Sequence, residues 1–187
     1  WHEGLSAEAK IDWLEFPWHN LYPVIAKPDV DLRAFSGEVS YRDGNYLGNF
    51  KADLDGPAGK FSLSSPFSGD LGKIFLPELK LVAGQGKAEG HVNVQFADGV
   101  AWDTALDLSA IDPAYWVAEL PGTLAGPLRS TGEFKTERLK LDANLDLKGR
   151  LRGLPAMLQA KAVGEGEAWT VSALDIRLGD NRINGTA

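Results

Sequence analysis

The stretch at residues 138–154, RLKLDANLDLKGRLRGL, decides the fold. Its odd positions read Leu139, Leu141, Ala143, Leu145, Leu147, Gly149 and Leu151. Its even positions read Arg138, Lys140, Asp142, Asn144, Asp146, Lys148, Arg150 and Arg152. Successive side chains of a strand point to opposite faces, whereas a helix of period 3.6 would scatter these leucines around its axis. The pattern therefore predicts a long β-strand with one apolar and one polar face. At ~3.3 Å per residue the run from 139 to 151 would reach about 40 Å, with Gly149 the place for a bend.

The same alternation recurs on both sides. Val30, Leu32 and Ala34 share a phase that slips before Phe35, Val39 and Tyr41. YRDGNY (41–46) reads as a hairpin turning at Asp43-Gly44 or Gly44-Asn45. Tyr46, Gly48, Phe50, Ala52 and Leu54 then alternate, and DGPAG (55–59) turns the chain. Short strands are expected around 61–63, 74–76 and 79–83. Val92, Val94 and Phe96 share a face, and ADG (97–99) leads into Val100, Trp102, Thr104, Leu106 and Leu108. Beyond residue 154, strands are expected at 156–163, at 168–178 and from Arg182 onward. The apolar phase changes between Ala173 and Leu174, so Leu174, Ile176 and Leu178 follow a candidate β-bulge.

Three segments read differently. AIDPAYWVAELPG (110–122) predicts one short helix or 3₁₀ segment, with Asp112 as cap, Pro113 at its first position and Pro121-Gly122 as its stop. Residues 1–28, with Pro17, Pro23 and Pro28, form an irregular leading segment in which SAEAKIDWL fits either a short helix or a strand. LKLVAGQGKAEGHV (79–92) aligns without gaps on LDIRLGDNRINGTA (174–187), either as a true repeat or as two hairpins of one kind.

The chain has 187 residues, formal net charge -7 and no cysteine. The acidic balance argues against nucleic acid, which needs clustered Lys and Arg. Disulfides, thiolate metal sites and cysteine nucleophiles are excluded; a cysteine-free chain suits an oxidising compartment without defining one. No stretch approaches the ~18 apolar residues of a membrane span. The chain begins at Trp1 without an initiator Met; it is read as one segment of a longer protein, residues 1–187 forming a single unit, with any membrane anchor outside it.

Catalytic motifs are scarce. His2, His19 and His91 lack metal-ligand spacing, and His91 falls on the polar phase. There is no G-x-S-x-G elbow, and GQGKAEG (84–90) fails both standard phosphate-loop spacings. The carboxylate pairs in DVD (29–31) and DLD (53–55) read as solvated strand faces. The expectation is a non-enzymatic protein without metal or cofactor. The aromatics, among them Trp13, Phe16, Trp18, Trp102, Tyr115, Trp116 and Trp169, fit a core best, with groove lining or sugar stacking as alternatives.

Roughly ten or more half-apolar strands with few helices to cover them imply an all-β fold. The expected architecture is an elongated, curled antiparallel or mixed sheet with its apolar face inside. The expected lining is Val92, Val94, Phe96, Val100, Trp102, Leu106, Leu108, Leu139, Leu141, Leu145, Leu147 and Leu151, continued by Leu174, Ile176 and Leu178 after the bulge. A closed structural spacer and a carbohydrate-binding sandwich are the competing readings.

WLEFPW (13–18), SGEVSYRDGNYLGNFKADLDGP (36–57), WDTALDLSAIDP (102–113) with the following LPGTLAG, LDLKGRLRGLPAMLQAKA (145–162) and LDIRLGDNRINGTA (174–187) resemble segments of the TamB family, within the wider AsmA-like group. The resemblance spans nearly the whole chain. It implies a β-taco, a folded-over sheet with an apolar concave groove. It also implies a periplasmic bridge anchored in the inner membrane of a Gram-negative bacterium. The implied partner is outer-membrane TamA, reached through parts outside this chain. The implied clients are phospholipids, or unfolded outer-membrane and autotransporter proteins. The resemblance supplies no catalytic residues, and the residues alone do not distinguish lipid from polypeptide.

Overall fold

The computed structural model of the chain describes residues 6–14, 30–96, 99–136, 138–166 and 168–186. The elements are β1 (Ser6–Leu14), β2 (Asp31–Arg42), β3 (Asn45–Gly56), β4 (Gly59–Asp70), β5 (Lys73–Ala83), β6 (Gly86–Gln95) and β7 (Val100–Ile111). A 3₁₀ turn (Pro113–Tyr115) follows, then β8 (Gly122–Lys135), β9 (Arg138–Leu151), β10 (Leu154–Glu165), β11 (Ala168–Leu178) and β12 (Asn181–Gly185). They form one sheet in sequential order. Every pairing is antiparallel, so the sheet is not mixed.

Alternation converts directly into this meander. The quoted stretch is β9, 14 residues long, with the odd positions 139–147 shielded and most even ones exposed. SAEAKIDWL is a strand, paired Trp13 to Phe35 and Ala9 to Val39. The β2–β3 hairpin turns at Asp43-Gly44, both in the left-handed region (φ 49° and 87°) as a two-residue primed turn requires. The strands expected at 74–76 and 79–83 are a single β5, whose register breaks between Leu76 and Leu79. β11 does carry a bulge, but earlier than the expected change between Ala173 and Leu174: Lys161 pairs with Ala173 and Ala162 with Val171, leaving Ser172 extra and Ala173 on the polar face. The slip in β2 falls at Arg33, between Leu32 and Ala34, so Ala34 joins the polar face beside Asp53. The remaining parts of the leading segment, 1–5 and 15–29, lie outside the described residues.

The helix expected at 110–122 is shorter than two turns. Asp112 caps it as expected, its Oδ1 accepting from the Ala114 N–H at 3.0 Å and the Gly122 N–H at 2.8 Å. Val117 N–H still reaches the Pro113 carbonyl at 2.9 Å, but no further helical turn follows.

The strand ends define two margins. One carries the connections at 57–58, 84–85, 112–121, 152–153 and 179–180; the opposite one follows Arg42, Asp70, Gln95, Lys135 and Glu165. Beyond neighbouring strands, the substantial contacts among the described residues run from the 3₁₀ turn to β4 and β8. No second sheet is present among the described residues, and the sandwich reading has no counterpart in the fold.

Candidate functional site

Residues opposite one another in an antiparallel pair share a face. In β7–β6, Trp102 pairs with Val94, Thr104 with Val92, Leu106 with Gly90 and Leu108 with Ala88. On the other side of β7, Val100 pairs with Phe134, Trp102 with Gly132, Leu106 with Leu128 and Leu108 with Gly126. Through β8 the face continues to Leu139, Leu141, Leu145 and Leu151. β10 joins Leu145 to Ala160 and Leu147 to Leu158, and β11 adds Leu174, Ile176 and Leu178 opposite Ala160, Leu158 and Ala156. The expected lining residues within strands therefore share one face; Phe96, just past β6, is half-exposed at its margin.

The face extends beyond the expected set, over β1–β5. There it is aromatic. Trp13, Phe35, Phe50 and Phe67 follow one another across four strands with ring centroids 5.8, 6.0 and 6.4 Å apart, and Tyr46 lies 6.0 Å from Phe67. Ile74, Leu76, Leu79 and Leu81 carry it through β5. The signal for these positions was the same alternation, broken into short pieces by the bulges.

Some glycines of this face are floor under a neighbour's ring. A Cβ on Gly132 would lie 2.1 Å from the Trp102 indole, so Trp102 lies across β8. Its Nε1–H donates to Ser130 Oγ at 3.1 Å, satisfying the indole within the apolar face. Of the other aromatics weighed from sequence, Tyr115 and Trp116 pack edge-on against Phe61. Phe16 and Trp18 lie outside the described residues.

The opposite face is polar. Arg33 pairs with Asp55, Arg129 with Asp107, and Lys51 with Asp53, at 3.1–3.3 Å or closer. Asp53 and Asp55 are thus each paired with a cation, Lys51 and Arg33 respectively. His91 Nε2 lies 2.8 Å from Asp103 Oδ1 across β6–β7. Asp175 is held by both Arg177 and Arg182 at 2.9 Å, and these hydrogen bonds hold its carboxyl down at about 2. Among the described residues no cluster of His, Asp and Glu could hold a metal. Shallow hollows over β2–β5, one lined by Ser40, Leu47, Ser68 and Phe75, show that the polar face is also concave in places. A twisted, coiled sheet is saddle-shaped, which produces hollows on both faces.

Among the described residues no second layer covers the apolar face; the 112–121 connection lies over one margin of it. Its members are mostly half-buried, and no large side chain is fully buried. Burial of Ala52, Phe61, Leu124, Leu147 and Ala156 without a second layer is what a sheet curled with this face inside produces. The accessible surface is 12419 Å² for 20.2 kDa, whereas a compact protein of this mass exposes about 8,800 Å².

A single curled antiparallel layer, apolar within and charged without, defines a β-trough. The family model for TamB, N-terminal domain, matches residues 2–186, and the chain belongs to that family. It is also similar to the Translocation and assembly module subunit TamB of Haemophilus influenzae, 28% identical over 148 residues. That match covers 76% of this chain and 11% of the relative, so the matched region is about a tenth of the relative's length. No solved structure matches.

Proposed function

We propose that this chain is a non-enzymatic segment of a periplasmic bridge between the inner and outer membranes, and that its trough shields phospholipid acyl chains in transit. The observation that carries this reading is the continuous apolar face, over which the described residues lay no second layer. Exposed contiguous apolar surface on this scale marks an interaction site. The paired positions of that face bear no carboxylate, amine, guanidinium or imidazole, which fits holding cargo rather than transforming it.

Backbone accounting favours acyl chains over polypeptide. Strands β2 to β11 have a neighbour on each side, so their ladder groups are committed within the sheet. A polypeptide laid across the trough floor would bring its own N–H and C=O groups to a surface with few partners, at a cost of about 1–3 kcal/mol for each one left unmade. An acyl chain has no such groups.

The second reading, nascent outer-membrane or autotransporter β-strands as clients, is favoured by the relative's name, which describes a translocation and assembly module subunit. In this account the outer-membrane partner TamA and the membrane anchor engage parts of the protein outside this chain. Native mass spectrometry of the complete protein, before and after delipidation, tests the proposal. Phospholipid adducts that are lost on delipidation and restored by added lipid are expected. A lipid-free protein that takes up none would refute it.

A further inference from the structure

The trough is not uniform across its width. Every buried apolar side chain among the described residues lies in the half nearer the margin that carries the 112–121 connection: Ala52, Phe61, Ala83, Ala88, Ile111, Ala114, Leu124, Leu147 and Ala156. At the opposite margin the same face is open. Phe96 is 50%, Phe134 48% and Val100 40% exposed. Leu124 and Leu147, on the same strands as Phe134 and Leu139, are 6% and 7% exposed.

The connection itself accounts for part of this asymmetry. It leaves β7, yet its aromatic residues reach β4, three strands back, where Phe61 meets Tyr115 at 6.1 Å and Trp116 at 5.4 Å. Two glycines at this margin, one ending β3 and one in the β5–β6 turn, accommodate it. A Cβ on Gly56 would sit 2.2 Å from the Tyr115 carbonyl oxygen, and one on Gly84 would sit 2.7 Å from the Tyr115 hydroxyl. Its far end is tied to β8 by the Asp112 side chain, which accepts from Gly122 N–H. The connection is therefore a brace laid over the margin from β4 to β8. On β10, where it does not reach, Leu154 at that margin is 44% exposed.

We infer that this brace over β4 to β8, together with the packed cluster that continues its side onto β9 and β10, divides the trough lengthwise there and confines acyl cargo to the opposite half of those strands. This rests on the proposed function. The braced half is filled by the protein's own side chains: Leu124, Leu147 and Ala156 cluster there with Leu108, Leu151 and Leu178 around them. The remote half, floored by Val94, Trp102, Gly132 and Leu141, is the lane left for a guest. Tyr115 and Trp116 act as positioning residues: they close the braced half to cargo.

The chain contributes no cysteine of its own; with any cysteines elsewhere in the complete protein replaced, single cysteines in this region report locally. Maleimide labelling would be compared with native phospholipid bound and after delipidation, at Val94→Cys and Leu141→Cys in the lane and at Leu108→Cys and Leu147→Cys in the braced half. Delipidation should raise labelling several-fold at the lane positions and leave the braced positions slow in both states. A Trp116→Ala background that retains its circular dichroism should bring Leu108→Cys into the lipid-sensitive set. Equal lipid-dependent protection in both halves would overturn the confinement while leaving the trough reading intact. No lipid-dependent change at any position would overturn the trough reading, and the confinement with it.

Discussion

At Gly132 a missing side chain makes room for the Trp102 indole. Gly132→Val would drive that ring off β8 and break its bond to Ser130. Forcing bulk into a filled site costs about 1–3 kcal/mol, and chemical denaturation should show a loss in that range. Asp112 is a second such point, because one carboxylate oxygen serves two backbone N–H groups. Asp112→Ala should lower stability by about 1–2 kcal/mol, as loss of a cap does. Asp175 gives a pH signature. Arg177 and Arg182 hold its pKa at about 2, below the ordinary 3.8. A depressed carboxylate stabilises the folded state above its unfolded pKa and loses that contribution as pH falls through the folded one. Thermal melts should show Asp175→Asn less stable than the parent at pH 7, with the gap closing between about pH 4 and 2. A gap that stays constant with pH would contradict the two-arginine account. Of these contacts the Asp112 cap alone was legible in the sequence, from the Asp-Pro pair that opens the turn. Gly132 and Trp102 are 30 residues apart, and only the β7–β8 register brings them together.

At the scale of elements, most of the fold was legible, because period-two patterning is local. β9 needed no tertiary information: seven apolar and polar positions alternate without a break. The difficulties arose where bulges interrupt the phase. β5 reads as two strands because Pro77 and Glu78 fall in its register break, and β4 reads as three residues rather than twelve because its register with β5 breaks between Ser64 and Ser68. The 3₁₀ turn was placed correctly by Asp112 and Pro113, but its docking on Phe61 is a long-range contact that no local pattern encodes. The two halves of the trough should differ in their tolerance of charge. Leu124→Arg strands a cation in the packed half, where an uncompensated buried charge costs about 3–5 kcal/mol, a large share of a domain's ~5–15 kcal/mol. Leu141→Arg lies where the guanidinium reaches water and should cost about 1 kcal/mol or less, within the surface range. Urea titration of the two variants checks this; equal losses would mean that the trough is packed alike throughout.

For the whole molecule, the large surface and the uncovered apolar face are one fact seen twice: a sheet that curls without closing leaves its lining accessible. The shared apolar face was legible as a set of residues, since each strand declares its own phase; that it lines a path for cargo is the proposal. What it would hold was not legible, because acyl chains and unfolded apolar segments present similar surface. In the proposed reading, the committed backbone of the inner strands is the physical ground for favouring lipid. The most direct measurement places a photo-crosslinking residue at Leu141 and, separately, at the adjacent Lys140, in the complete protein in cells. The two side chains are neighbours in sequence and lie on opposite faces of β9. Irradiation should yield phospholipid adducts from Leu141 and few or none from Lys140. Equal adducts from both positions, or none from Leu141, would contradict the account.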